Sequence, residues 1–132
     1  MSLPVILQSC AARSGAVAGA LRDAEQQLGR ALPDDYKALL QESDGLEGFI
    51  SADAFVSLWA AADLASLNDA YAVAEFVPDV TLLGTDGGGT GYGYRNVGGQ
   101  IEYVALPLVG METGAITVIG RTFMELLERL AR

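Results

Sequence analysis

The residues best placed by type and spacing to do chemistry lie between positions 84 and 99, where the chain reads GTDGGGTGYGYRNVGG. Consecutive glycines free backbone N–H groups to cradle an anion. A P-loop, however, follows its glycines with a lysine and a hydroxyl residue that reaches magnesium, and this segment has no lysine. A dinucleotide fingerprint spaces three glycines ahead of a helix, whereas this run leads into Tyr92 and a hairpin. A nest at Gly87-Gly88-Gly89 would also set its anion against Asp86. The simpler reading is a tight connection between two strands, with glycines at positive φ. Gly91 and Gly93 then let a neighbouring side chain pack over the strand. Asp86 with Asp79 or Glu75 could attract a cation, but calcium-loop spacing is missing.

Other chemistries fare no better. Asp34-Asp35 offers two carboxylates, as glycoside hydrolysis requires. Neighbours on a first helical turn point in different directions, and their place at the positive end of the helix dipole favours compensation of that dipole. Cys10 is the only cysteine and histidine is absent, so Ser-His-Asp and Cys-His mechanisms, histidine-ligated metals and multi-cysteine zinc sites are excluded. No catalytic residues and no cofactor are expected. A lone cysteine fits a reducing cytoplasm. Leu7-Gln8-Ser9-Cys10 superficially resembles a lipoprotein cleavage site, but no positive charge follows Met1 and the apolar run is short, so a signal peptide is not expected. No run approaches the roughly 20 apolar residues of a membrane span.

What remains is a surface. Seventeen acidic residues oppose eight basic ones, for a net charge of −9, and Lys37 is the only lysine. Such a balance disfavours nucleic acid and anionic lipid. It favours solubility and steered encounter with a basic partner. Glu42, Asp44, Glu47 and Asp53 form a loose acidic stretch, with Asp86 as a further carboxylate. Trp59 is a core residue by type, yet tryptophan is also enriched among interface anchors. These six are the candidate partner-binding residues.

The elements that position them follow from periodicity. Val17, Leu21, Ala24 and Leu28 recur at helical spacing over about 16–28, and Gly29 ends that helix. Leu32-Pro33 opens a second helix with Tyr36, Leu39 and Leu40 on its apolar face, closed by Asp44-Gly45. Phe55–Trp59 reads as a strand, Ala60–Tyr71 as a helix with Leu64 and Leu67 inward, and Val80–Thr85 as a central strand. Gly98-Gly99 is a two-residue hairpin turn that sets Val97 opposite Gln100, Arg95 opposite Glu102 and Tyr94 opposite Tyr103. Tyr92, Tyr94, Ile101 and Tyr103 then share one face. Ala115–Ile119 reads as a last strand. Thr122 and Glu125 form a capping box before a helix whose stripe is Phe123, Leu126, Leu127 and Leu130. Helices at the start, middle and end around adjacent antiparallel strands make an α+β fold.

Three stretches together resemble the SUKH superfamily, the domain of a fungal cell-wall-synthesis regulator and of many bacterial toxin-immunity proteins. The first is Ala24-Glu25-Gln26-Gln27-Leu28-Gly29-Arg30-Ala31-Leu32-Pro33-Asp34-Asp35-Tyr36, with Leu39-Leu40 and Asp44-Gly45 after it. The second runs from Leu58-Trp59 through Asn68-Asp69-Ala70-Tyr71 and Pro78 to Leu83-Gly84-Thr85-Asp86-Gly87-Gly88-Gly89. The third is Ile119-Gly120-Arg121-Thr122-Phe123-Met124-Glu125-Leu126-Leu127. Asp44 stands where the family more usually has Asn. The likeness places a single SUKH-like domain at 16–132 and leaves 1–15 as an N-terminal segment of uncertain order. It implies an antiparallel sheet flanked by helices and a protein-binding role, commonly the neutralisation of a cognate toxin, many of which are nucleases with basic grooves. A non-catalytic adaptor of the cell-wall-regulator type is the alternative. A small-molecule ligand is not expected under either.

Overall fold

The protein is described by a computed structural model that covers residues 4–132. Among the described residues, seven strands form one antiparallel sheet in which spatial order follows chain order. They are β1 (Ala11–Ala12), β2 (Leu46–Phe49), β3 (Phe55–Leu58), β4 (Val80–Thr85), β5 (Thr90–Val97), β6 (Gln100–Pro107) and β7 (Thr117–Gly120). The α-helices among the described residues are α1 (Ala18–Leu28), α2 (Asp34–Glu42), α3 (Leu64–Ala70), α4 (Val73–Phe76) and α5 (Phe123–Ala131). The α+β expectation holds.

Because side chains alternate across a strand, the sheet carries two cores. On one face Leu83, Tyr92, Tyr94 and Tyr103 pack with Leu21 and Ala24 of α1, Tyr36 and Leu40 of α2, and Phe123, Leu126 and Leu127 of α5. On the other, Leu82, Val80, Val104 and Leu106 pack under Val73, Val77 and Met111. β4 is buried along its whole length between them.

The β5–β6 hairpin has the register that its turn predicts, with Val97 opposite Gln100, Arg95 opposite Glu102 and Tyr94 opposite Tyr103. Gly98 and Gly99 both adopt positive φ, at 60° and 85°, as a primed turn demands. Arg95 Nε donates to Glu102 Oε1 at 3.0 Å. Tyr94 and Tyr103 turn their hydroxyls towards the helical layer, Tyr94 donating to the carbonyl of Ala31 at 2.7 Å. The α5 capping box also forms, Thr122 Oγ1 accepting the Glu125 N–H while Glu125 accepts the Thr122 N–H.

Several boundaries move. Val17 is the extended residue before α1 and is 72% exposed, so the inward stripe begins at Leu21. The expected 60–71 helix is a 3-10 turn at Ala61–Asp63 followed by α3, and Ala72 at φ 54° breaks the chain before α4. Residues 113–115 form a 3-10 turn, which delays β7 to Thr117. Inside the segment read only as an acidic stretch lies β2, whose Leu46 is buried and Glu47 exposed, paired to β3 from Leu46–Leu58 to Phe49–Phe55. Residues 4–12 contribute a 3-10 turn at Val5–Leu7 with Leu7 wholly buried, then β1 on the sheet edge.

One repair holds the middle of the sheet. β3 pairs with β4 only at Ser57–Thr85 and Leu58–Gly84, so the earlier part of β4 lacks a strand on that side. Asn68 on α3 substitutes for it. Its amide accepts the Leu82 N–H at 2.8 Å and donates to the carbonyl of Leu82 at 3.0 Å and of Leu64 at 2.8 Å. A buried backbone pair that would cost roughly 1–3 kcal/mol per unmet group is thereby satisfied.

Candidate functional site

The glycine-rich turn joins β4 to β5. Asp86 accepts the N–H of Gly88 at 2.8 Å and of Thr90 at 3.1 Å, while Thr85 Oγ1 accepts that of Gly87 at 3.1 Å. The nest is thus occupied by the chain's own carboxylate and hydroxyl. Gly87 has φ 81°, and a Cβ there would lie 2.9 Å from the Phe55 ring, so this glycine is where β3 leans on the turn. Gly91 does what was expected of it: a Cβ would meet Leu108 at 2.8 Å and Leu82 at 3.1 Å, side chains that cover the strand. Gly93 differs, because its neighbour is the backbone carbonyl of Thr81, and Gly84 likewise faces the carbonyl of Ser57. These two glycines allow close approach of backbones on either side of β4, where the β4–β5 register shifts between Leu82 and Gly84.

The six candidate partner-binding residues are not gathered in one patch. Glu42 ends α2 and lines a groove beside α5. Asp44 turns inward to accept the Ala61 N–H at 2.8 Å, fastening the start of the 3-10 turn. Glu47 projects from β2 within 3.9 Å of the Arg13 guanidinium, both side chains more than half exposed. Asp53 is exposed in the β2–β3 connection. Asp86 is committed to its turn. Trp59 is half-buried against both cores and stacks on Tyr71, ring centroids 6.0 Å apart and planes 4° from parallel. Of these, Glu42, Glu47 and Asp53 offer carboxylates at the surface or a groove rim.

The two carboxylates considered from the sequence take separate places in the structure. Asp34 is solvated beside Lys37, 3.6 Å away. Asp35 is a joint rather than half of an acid–base pair. It accepts the Tyr103 hydroxyl at 2.5 Å and the Phe123 N–H at 2.7 Å, tying α2 to β6 and to the first residue of α5. Burial, then the bond to Asp35, pushes the Tyr103 phenol far above its ordinary value. Burial, then the charge of Asp44, does the same to Tyr36. Burial also raises the Cys10 thiol, which reduces its thiolate character. Among the described residues, no three His, Cys, Asp or Glu side chains converge as a metal site, and no helix is long and apolar enough to cross a membrane.

The sequence reading passed over the groove that Glu42 lines. Asp35, Ala38, Leu39 and Glu42 form one wall, with Phe123 and Met124 opposite and Pro4 at one end, enclosing about 440 Å³. The α2 residues recur at i, i+3, i+4 and i+7, the spacing of one helical face. That periodicity was visible; its pairing with residues 122–124 was not.

A family model described as the SMI1 / KNR4 family (SUKH-1) matches residues 15–129. No curated protein matches the chain. The family match spans α1 through α5, including the Leu-Pro step into α2, the glycine-rich turn and the capped last helix, and on this ground the chain belongs to the SMI1 / KNR4 family (SUKH-1).

Proposed function

We propose that this chain is a cytoplasmic immunity protein that binds and blocks a cognate toxin domain with a basic substrate groove, such as a nuclease. Family membership supports a protein-binding immunity or regulatory domain in general. The observation that carries the finer reading is the net charge of −9 on a domain of that family. An acidic inhibitor presents carboxylates where a nuclease would hold phosphates, which speeds encounter and selects basic partners. We assign the steering to Glu42 at the groove rim and to the exposed Glu47 and Asp53, with the Trp59–Tyr71 stack as an aromatic contact.

The test is co-expression with a toxin encoded in a neighbouring reading frame. Protection of the cells is expected, together with a 1:1 complex of the purified proteins. Reversal of Glu42, Glu47 and Asp53 to lysine should slow association about tenfold or more at low salt and flatten its salt dependence. Failure to protect, with no complex formed, removes the reading for that toxin. Recovery of a housekeeping enzyme as a stoichiometric partner would favour the adaptor role.

A further inference from the structure

We infer that the groove between α2 and the start of α5 seats an apolar side chain of a partner protein flanked by lysine or arginine. This rests on the protein-binding reading above and names a surface for it. The groove's volume, about 440 Å³, falls within the roughly 300–1,000 Å³ of cavities that hold ligands. Its interior is built from Ala38, Leu39, Phe123 and Met124, and its charged lining residues, Asp35 and Glu42, are both acidic. They stand seven residues apart on one helix, roughly 10 Å along its axis, on the same face as the apolar floor. Apolar floor and acidic rim together complement a hydrophobic anchor with cationic neighbours. They oppose a phosphate, a nucleic acid or an acidic peptide.

The walls differ in stiffness, which suits an entering side chain. The Asp35 wall is fixed through Tyr103 and Phe123, and Leu39 is buried. Met124 is 41% exposed and, being unbranched and polarisable, can reshape around a guest. The concavity along Ala11, Phe49 and Ile50, about 530 Å³, has a single charged lining residue, Glu47, which is itself paired with Arg13. The cleft beside Arg30, Asn68 and Thr81 encloses only about 90 Å³. The one between Arg30, Asp79, Tyr94 and Asn96 carries both signs of charge.

The test uses the full chain and synthetic peptides of fixed composition: a leucine pair between lysine and arginine residues, the same peptide with alanine for leucine, and the same with glutamate for the basic residues. The leucine–basic peptide should shift the amide resonances of residues 35–42 and 122–124 and bind at least about tenfold tighter than either control. Ala38→Arg, which fills the groove and opposes the rim charge, should abolish the shifts, and Glu42→Lys should weaken binding. Glu47→Lys on β2 should leave it unchanged. Shifts outside the groove, equal affinity for the three peptides, or a concentration-dependent dimer that protects the groove in the free chain would each overturn the inference. The two readings fail separately. A toxin neutralised equally well by Ala38→Arg keeps the immunity role and sinks the groove. Groove binding by a chain that protects against no toxin does the reverse.

Discussion

The glycine-rich turn and the α2–α5 groove stand in opposite relation to the sequence. The turn is conspicuous because its residues are contiguous, and for the same reason they satisfy one another: three of its N–H groups are met by Asp86 and Thr85 within the same few residues. The groove is inconspicuous because its walls come from positions as far apart as Asp35 and Phe123, separated by 88 residues. Polar groups bunched in sequence reach each other first, while a concave surface with an apolar floor needs elements brought together by the fold. Local richness therefore marked a place where the chain closes on itself, and the apolar concavity lay elsewhere.

Substitutions can break or sharpen that contrast. The largest effect is expected at the base of the turn. Gly84→Ala would drive a Cβ into the Ser57 carbonyl, and since backbone cannot step aside cheaply, a loss of about 3 kcal/mol is expected in denaturant unfolding. An unchanged midpoint would mean that β3 and β4 do not need this approach. Next comes the joint at the groove wall. Asp35→Ala removes the acceptor of two hydrogen bonds and should cost about 2 kcal/mol, with Asp35→Asn recovering part because one oxygen remains. The same joint has a pH signature. Tyr103 and Tyr36 hold their protons more tightly folded than unfolded, so between the two pKa values the native state binds more protons. Stability should be flat below the ordinary tyrosine pKa of about 10 and fall as pH rises beyond it. An alkaline titration of unfolding free energy checks this, and a flat profile above pH 10 would contradict it. The smallest effect is expected from Asp86→Ala. Water can reach the freed N–H groups, so the loss should be about 1 kcal/mol or less, with affinity for a partner protein unaltered. A large loss of affinity would return the turn to consideration as a contact surface.

The hairpin was legible to the residue because Gly98-Gly99 fixes the register and two cross-strand pairs agree with it. The capping box was legible for a similar reason: its chemistry lies within four residues. β2 was not, since Glu47 and the neighbouring carboxylates masked the alternation of a short strand with Leu46 inward. The role of Asn68 was equally hidden. An asparagine on a helix looks like an ordinary polar residue until the missing stretch of β3 leaves Leu82 in need of a partner. Asp35 was read for its dipole alone, because its other partners are distant in sequence. At the groove, one wall could be read from helical spacing and the other could not.

The order of the strands has a kinetic consequence. From β2 to β7 each strand pairs with the one that follows it, so the β2–β3, β4–β5 and β5–β6 pairings close short stretches of chain at little loop-closure entropy. Two pairings must wait for helices to pass: β1 with β2 across α1 and α2, and β3 with β4 across α3 and α4. Contacts local in the chain assemble quickly, and here the latest event is the distant fastening of Asp35 onto β6 and α5. During synthesis the meander can form in the sequence in which it emerges, with the last helix setting the clasp.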